Sequence, residues 1–411
     1  MKINKHCFPN GLRLVHYEDT STQMVALNIV YDVGARDEHP EHTGFAHLFE
    51  HLMFGGSAHI PDYDTPLQLA GGENNAWTNN DITNYYLTVP KPNVETAFWL
   101  ESDRMLELAF SEQSLEVQRG VVMEEFKQRC LNQPYGDVGH LFRPLAFRVH
   151  PYRWPTIGKE LSHIEQATLD EVKSFFYRFY APNNAVLAVT GNISWDETVK
   201  LTEKWFAPIP RRDVPVRQLP QEPEQTQERR LTVERNVPLD ALFMGYHMCS
   251  REGADYYAFD ILSDILSNGR SSRLNRRLVQ EQNIFSGIDA YISGTRDAGL
   301  LQIIGKPAAG VSLEQAEAAV RKELEELQRS PVDGQELEKV KNKFESTQIF
   351  GNINYLNVAT NLAWFELTGK AEDIDLEVER YRSVTTEQLH TVAQRTFCES
   401  NAVVLYYKSD K

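Results

Sequence analysis

The sequence predicts an α+β protein of two similar halves, each a mostly antiparallel sheet with helices packed on it, joined by a proline-rich linker. Three observations carry that expectation. First, a helix-then-strand segment occurs twice without a gap. Thr168 to Arg178 runs into Asn184-Ala185-Val186-Leu187, and Thr385 to Arg395 runs into Asn401-Ala402-Val403-Val404. Second, Pro208, Pro210, Pro215, Pro220 and Pro223 lie amid Arg, Gln and Glu between Pro208 and Glu228, which suits an extended connector. Third, strand-like runs alternate with helical patterns, often paired, in each half. The domains expected are therefore 1–207, a linker over 208–228, and 229–411.

In chain order, the start from Met1 to Gly11 leads directly into strand-like sequence, and Ala26 to Val33 reads as a strand. Gly44 to Gly56 is almost wholly apolar apart from His47, Glu50 and His51, and Gly55-Gly56 supplies a helix stop. Gly71-Gly72 is a turn leading into a polar strand, whose backbone could pair with an extended peptide. Gln118 to Phe126 reads as helix. In the second half, Ala241 to Met248 is the counterpart of the early strand and Tyr256 to Leu266 that of the histidine-bearing helix. Glu336 to Gln348 corresponds to the Gln118–Phe126 helix. Ser312-x-x-Gln315 and Asp333-x-x-Glu336 have the pattern of capping boxes, and the charge-rich run from Glu314 to Arg329 reads as a solvated helix face.

The chemistry is concentrated in His47-Leu48-Phe49-Glu50-His51. On a helix, positions i and i+4 share a face one turn apart, so His47 and His51 can offer nitrogens to one metal ion. Glu50, at i+3, is placed to hold a water on the open side of that ion. Two imidazoles and a carboxylate suit zinc, which lowers the pKa of a bound water to about 7. The order H-x-x-E-H is the inverted form of the commoner zinc-peptidase helix motif. Buried imidazoles and carboxylates in an apolar segment are costly unless paired or bound to a metal. A catalytic zinc takes three protein ligands, and the third is sought in Met123-Glu124-Glu125-Phe126, where spacing alone does not separate Glu124 from Glu125.

On these residues the chain resembles the pitrilysin/insulinase family of zinc peptidases, and more closely its short bacterial and mitochondrial-processing-type members. The family pairs the inverted motif with a later Arg-x-Val-Val-x-x-Glu stretch, which Arg119, Val121, Val122 and Glu125 match. The resemblance thus implies Glu125 as third ligand and Glu50 as general base for attack on a peptide carbonyl. The segment Asn75-Ala76-Trp77-Thr78, followed by Asp81-Ile82-Thr83-Asn84-Tyr85, is similar to the family's edge strand beside the metal. It implies Asn75 and Ala76 as the residues nearest the substrate. The resemblance also implies a chamber enclosed by an active and an inactive half, which short members build from two identical or different chains.

Two departures stand out. Gln118 occupies a position where many members carry a glutamate. The stretch Gly299 to Gly305 lacks the Arg and Tyr that the family often places near the scissile bond. Arg296 or Tyr291 could serve instead, but a partner chain is the preferred source. Only His247 and His390 of the 12 histidines follow the linker, so the second half is expected to carry no metal.

Composition excludes other classes. The 411 residues, 41% of them hydrophobic, suffice for more than one core. With 42 basic against 58 acidic residues and a net charge of −16, neither nucleic acid nor an anionic membrane surface is expected as partner. No run is long and apolar enough to cross a bilayer, and the first residues lack a secretory core. Cys7, Cys130, Cys249 and Cys398 are scattered, as in a reducing compartment, so a cytoplasmic location is expected unless a leader has been removed. The leading expectation is a zinc endopeptidase acting on unfolded or extended peptides as a homodimer, or as a heterodimer with a related chain. The alternatives are a non-catalytic or weakly active peptide-binding subunit and a metal-dependent hydrolase of non-peptide substrates.

Overall fold

The computed structural model describes residues 1–410. The first part of the chain runs β1 (Ile3–Cys7), β2 (Arg13–Glu18), β3 (Met24–Tyr31), α1 (Phe45–Leu52), α2 (Asp64–Leu69), β4 (Glu73–Thr78), β5 (Thr83–Pro90), α3 (Val94–Leu106) and α4 (Glu112–Phe126). It continues through α5 (Val138–Ala146), α6 (Leu161–Glu165), α7 (Leu169–Phe179), β6 (Ala185–Gly191) and α8 (Trp195–Trp205). After the connector come β7 (Arg229–Arg235), β8 (Ala241–Met248), α9 (Tyr256–Ser267), β9 (Phe285–Ile292), β10 (Gly299–Pro307), α10 (Leu313–Arg329), α11 (Gly334–Gly351), α12 (Tyr355–Thr368), α13 (Glu377–Ser383), α14 (Thr386–Thr396) and β11 (Ala402–Ser409).

Two sheets organise these elements. The first is six-stranded in the order β1-β2-β6-β3-β5-β4, and the second five-stranded in the order β7-β11-β8-β10-β9. Each is antiparallel but for one pair, β2 with β6 and β7 with β11. The repeated segment supplies equivalent pieces to both: α7 and β6 in one, α14 and β11 in the other. Their helix starts share a local cause. Thr168 and Thr385 are N-caps whose side chains accept the backbone N–H of Glu171 and Gln388, which satisfies a donor the helix itself cannot use.

In the first unit the central strands β3 and β6 are buried on both faces, and strand alternation shows how. Along β3, Val25, Leu27, Ile29 and Tyr31 join one core with Phe49 of α1, Phe98 of α3 and Phe176 of α7, while Ala26 and Val30 join another. That second core is closed by Val358, Ala359, Leu362 and Ala363 of α12. The second unit repeats the scheme. Leu242, Met244 and Tyr246 of β8 face α9, α10 and α14, while Ala241 and Phe243 meet Phe142 and Ala146 of α5. Each fully buried Leu, Ile, Val or Phe of this kind contributes about 1.5–3 kcal/mol relative to exposure.

The compact units are consequently not the contiguous halves 1–207 and 229–411. The first comprises Met1–Leu131, Trp154–Pro220 and Ile349–Leu376; the second comprises Asn132–Arg153, Gln221–Gln348 and the chain from Glu377 onward. The connector is extended but divided between the units and held by specific bonds. In the first unit, Arg212 donates to the carbonyls of Tyr180 at 2.6 Å and Leu106 at 2.7 Å, and Arg217 Nε donates to Asp37 at 2.6 Å. In the second unit, Glu222 accepts the N–H groups of Arg148 and Val149, both at 2.9 Å, and Gln225 donates to Ala402 O at 2.8 Å.

Two local expectations change. Ser312 and Gln315 form a reciprocal capping box, but Glu336 turns from Asp333 to pair with Arg273 at 2.8 Å. The acidic run on α10 is not wholly solvated: Glu317 and Glu323 are buried and paired with arginines of neighbouring segments. Among the described residues, no helix is long and apolar enough to cross a membrane.

Candidate active site

The helix α1 begins at Gly44, whose φ of +90° is a left-handed conformation that favours glycine. No side chain caps α1 in the usual position. Instead the buried carboxylate of Glu38 accepts the N–H of Gly44 and of Ala46, each at 2.9 Å. Burial pushes the Glu38 carboxyl up to about 8, against the pull of these two N–H bonds toward the charged form. Further along, the Tyr85 hydroxyl donates to Phe49 O at 3.1 Å, and the Phe49 ring stacks on Phe175 and Tyr180. The helix ends as expected at glycines: Gly55 N–H donates to Leu52 O at 2.9 Å, and Gly56 has a φ of +96°.

Along α1, Leu48, Phe49 and Leu52 enter the core, which leaves His47, Glu50 and His51 toward α4 and β4. Nε2 of His47 lies 3.5 Å and Nε2 of His51 3.3 Å from Oε2 of Glu125. One ligand atom from each of the three residues lies within 4.8 Å of the others, and no second such cluster occurs among the described residues. Of the two glutamates that spacing left open, Glu124 is exposed and pairs with Lys127 at 3.7 Å, while Glu125 faces the histidines.

The donor set fits zinc. Ligands about 2.0–2.2 Å from a tetrahedral ion lie roughly 3.3–3.5 Å from one another, and the two carboxylate–imidazole distances are 3.5 and 3.3 Å. Protonation states agree with this. Burial lowers His47 to about 4, so it is neutral near pH 7, the form that binds metal. A hydrogen bond from His51 holds Glu125 below the usual carboxylate range despite partial burial. Burial raises the Glu50 carboxyl, while the Thr78 hydroxyl beside it favours the charged form. His47 Nδ1 is buried without a hydrogen-bond partner, so no protein acceptor sets the tautomer of that ring.

The strand β4 is an edge of its sheet, paired only with β5. Asn75 is exposed and its side-chain oxygen accepts the N–H of Ala76 at 2.8 Å, while Ala76 packs on the core that includes α1. Much of the matched Arg-x-Val-Val-x-x-Glu stretch is architectural. Val122 is buried, and Arg119 donates to Glu165 O and Ala167 O, both at 3.1 Å, tying α4 to the entry of α7. Gln118, half-buried, lies beside Gly55. Of the other histidines, His59 pairs with Asp103 at 2.7 Å and His163 accepts from Thr43 N–H at 3.2 Å. In the second unit, β10 contains no Arg or Tyr, Tyr291 lies opposite Gln302, and Arg296 lies 3.9 Å from Glu252.

Two residues of this region were not singled out from the sequence. Glu38 has no local signature, because its partners lie across a turn. Arg129, four residues after Glu125, forms an ion pair with Glu125 Oε1 at 2.9 Å, and its i,i+4 spacing is visible in the sequence.

Comparison with known proteins identifies the family. Residues 13–137 match Insulinase (Peptidase family M16), and residues 166–344 match the Peptidase M16 inactive domain. The chain is 26% identical to the Helicobacter pylori zinc protease PqqE over 97% of its own length and 91% of that protein. It is 25% identical to the uncharacterized zinc protease YmxG of Bacillus subtilis over 98% of each. The crystal structure of a protease from Helicobacter pylori superposes with a TM-score of 0.94 at 26% identity, covering 99% of both chains. A peptidase M16 inactive domain from Pseudomonas fluorescens shares the fold, with a TM-score of 0.89 at 16% identity over 100% and 99%. The paired halves, the inverted histidine motif on α1 and these matches together place the chain in the pitrilysin/insulinase family of peptidases, M16.

Proposed function

We propose that the chain is a zinc metalloendopeptidase that hydrolyses unfolded or extended peptides. The observation that carries this reading is the meeting of His47 Nε2, His51 Nε2 and Glu125 Oε2, with Glu50 on the same helix. His47, His51 and Glu125 would hold zinc, which when bound acidifies a water and polarises a carbonyl. Glu50 takes the proton from the attacking water and passes it to the departing amine, as a general base and then acid does. Partial burial keeps this carboxyl out of bulk solvent. The edge of β4 at Asn75 and Ala76 receives the peptide backbone as an added strand, which favours extended substrates.

A second copy of the chain, or a related chain, completes the site by supplying the positive charge that β10 lacks. The same lack favours one other reading, a peptide-binding subunit with little activity of its own. The four cysteines are free thiols, which fits a reducing compartment such as the cytoplasm.

The test is digestion of an unfolded peptide mixture by the zinc-loaded chain, read by mass spectrometry beside Glu50→Gln. Cleavage by the wild type, reduced by about 10²–10⁴-fold in the variant, is expected. Zinc bound by both without cleavage by either would mean that a related partner chain is missing or that the site serves binding rather than catalysis.

A further inference from the structure

The two oxygens of Glu125 are used differently. Oε2 faces His47 and His51, at 3.5 and 3.3 Å, whereas Oε1 forms an ion pair with the Arg129 guanidinium at 2.9 Å. Arg129 lies in a π-helical turn, Lys127–Leu131, by which the chain leaves α4 and which begins two residues after Glu125. Such turns are rare and frequent at functional sites. The arginine side chain is 69% exposed while that of Glu125 is only 19% exposed. An exposed i,i+4 ion pair contributes at most about 1 kcal/mol to folding, so stability is a poor account of its placement.

A carboxylate can approach a metal through one oxygen or through both. With both, it fills the position that a hydrolytic site must leave open for water and substrate. A guanidinium on the second oxygen prevents this, and its planar, always charged donor fork suits the task better than an ammonium. We infer that Arg129 is a positioning residue that restricts Glu125 to a single oxygen toward the metal and so keeps one coordination position open. The inference rests on the zinc site of the proposed function and adds a residue to it. Hydrogen-bonding partners of metal ligands typically change metal affinity by about 10–100-fold when removed.

The experiment loads the full chain with zinc or with cobalt(II) and compares wild type, Arg129→Ala and Arg129→Lys, with Lys127→Ala as a control that removes the neighbouring pair with Glu124. Zinc uptake is read by chelator competition, and coordination number by the visible absorption of cobalt, which is several-fold stronger for four-coordinate than for five-coordinate ions. Arg129→Ala is expected to melt near the wild-type temperature and to show the weaker five-coordinate cobalt spectrum. Arg129→Lys should recover part of the four-coordinate spectrum, and Lys127→Ala should match wild type. An unchanged cobalt spectrum in Arg129→Ala would overturn the inference while leaving the proposed zinc site standing. A wild-type chain that takes up neither metal would instead remove the proposed function, and this inference with it.

Discussion

Nε2 of His51 lies 3.3 Å from Oε2 of Glu125, although the two residues belong to different helices. The approach is set by the packing of α1 on α4, where Leu48, Leu52, Leu115 and Val122 share one core. Neither helix could hold a metal alone.

The first prediction concerns that trio. Glu125→Gln keeps the shape of the side chain but removes the charge, and is expected to weaken zinc binding by more than the roughly 10–100-fold typical of an outer partner. Glu124→Gln is expected to leave zinc binding unchanged, because Glu124 faces solvent. Chelator competition on the two variants checks both outcomes.

Glu38 is predicted to anchor the histidine helix. Glu38→Ala would leave the buried N–H groups of Gly44 and Ala46 without their acceptor. A buried donor left unsatisfied costs about 1–3 kcal/mol, so a loss of roughly 2–6 kcal/mol is expected for the two. Urea unfolding of the variant beside wild type measures it, and a loss below 1 kcal/mol would show the two bonds to be dispensable.

Gly44→Ala should be costly for two separate reasons. The φ of +90° disfavours any side chain, and an added Cβ would sit 2.7 Å from Ile164 Cδ1 and 2.9 Å from Ile157 O. Backbone strain and overpacking each cost about 1–3 kcal/mol. The melting temperature is expected to fall accordingly, with zinc affinity falling as the helix start shifts.

Acid stability is predicted to depend on Glu317 in the second unit. Burial alone would raise this carboxyl, but bonds from Arg230, Tyr406 and Arg321 outweigh it and bring it down to about 2. A depressed carboxyl stabilises the fold above its unfolded pKa, and that contribution disappears as pH falls toward the folded value. Stability should therefore decline between about pH 4.5 and about pH 2. Glu317→Gln should be less stable at pH 7 and show a flatter decline over that window. Unfolding in urea across this pH range tests the sign.

Much of the fold was legible where the physics is local. The cap at Ser312 was readable because a hydroxyl bonds an N–H three residues on. Asp333 and Glu336 show the limit of such reading, since Arg273 from a distant segment takes the glutamate instead. The contiguous halves misdescribe the packing for a related reason. Apolar periodicity in α12 marks Val358, Ala359, Leu362 and Ala363 as a buried face without naming the sheet that buries it. That sheet belongs to the first unit, while α5 covers the second.

The site divides along the same line. His47, Glu50 and His51 were set by sequence alone, because a helical turn places i, i+3 and i+4 together wherever the helix lies. Tertiary structure decided which of Glu124 and Glu125 meets them, that Glu38 supplies the cap α1 lacks, and that Arg129 takes the remaining oxygen. Local spacing fixes directions within one helix, whereas the distance between two helices is decided by the side chains packed between them.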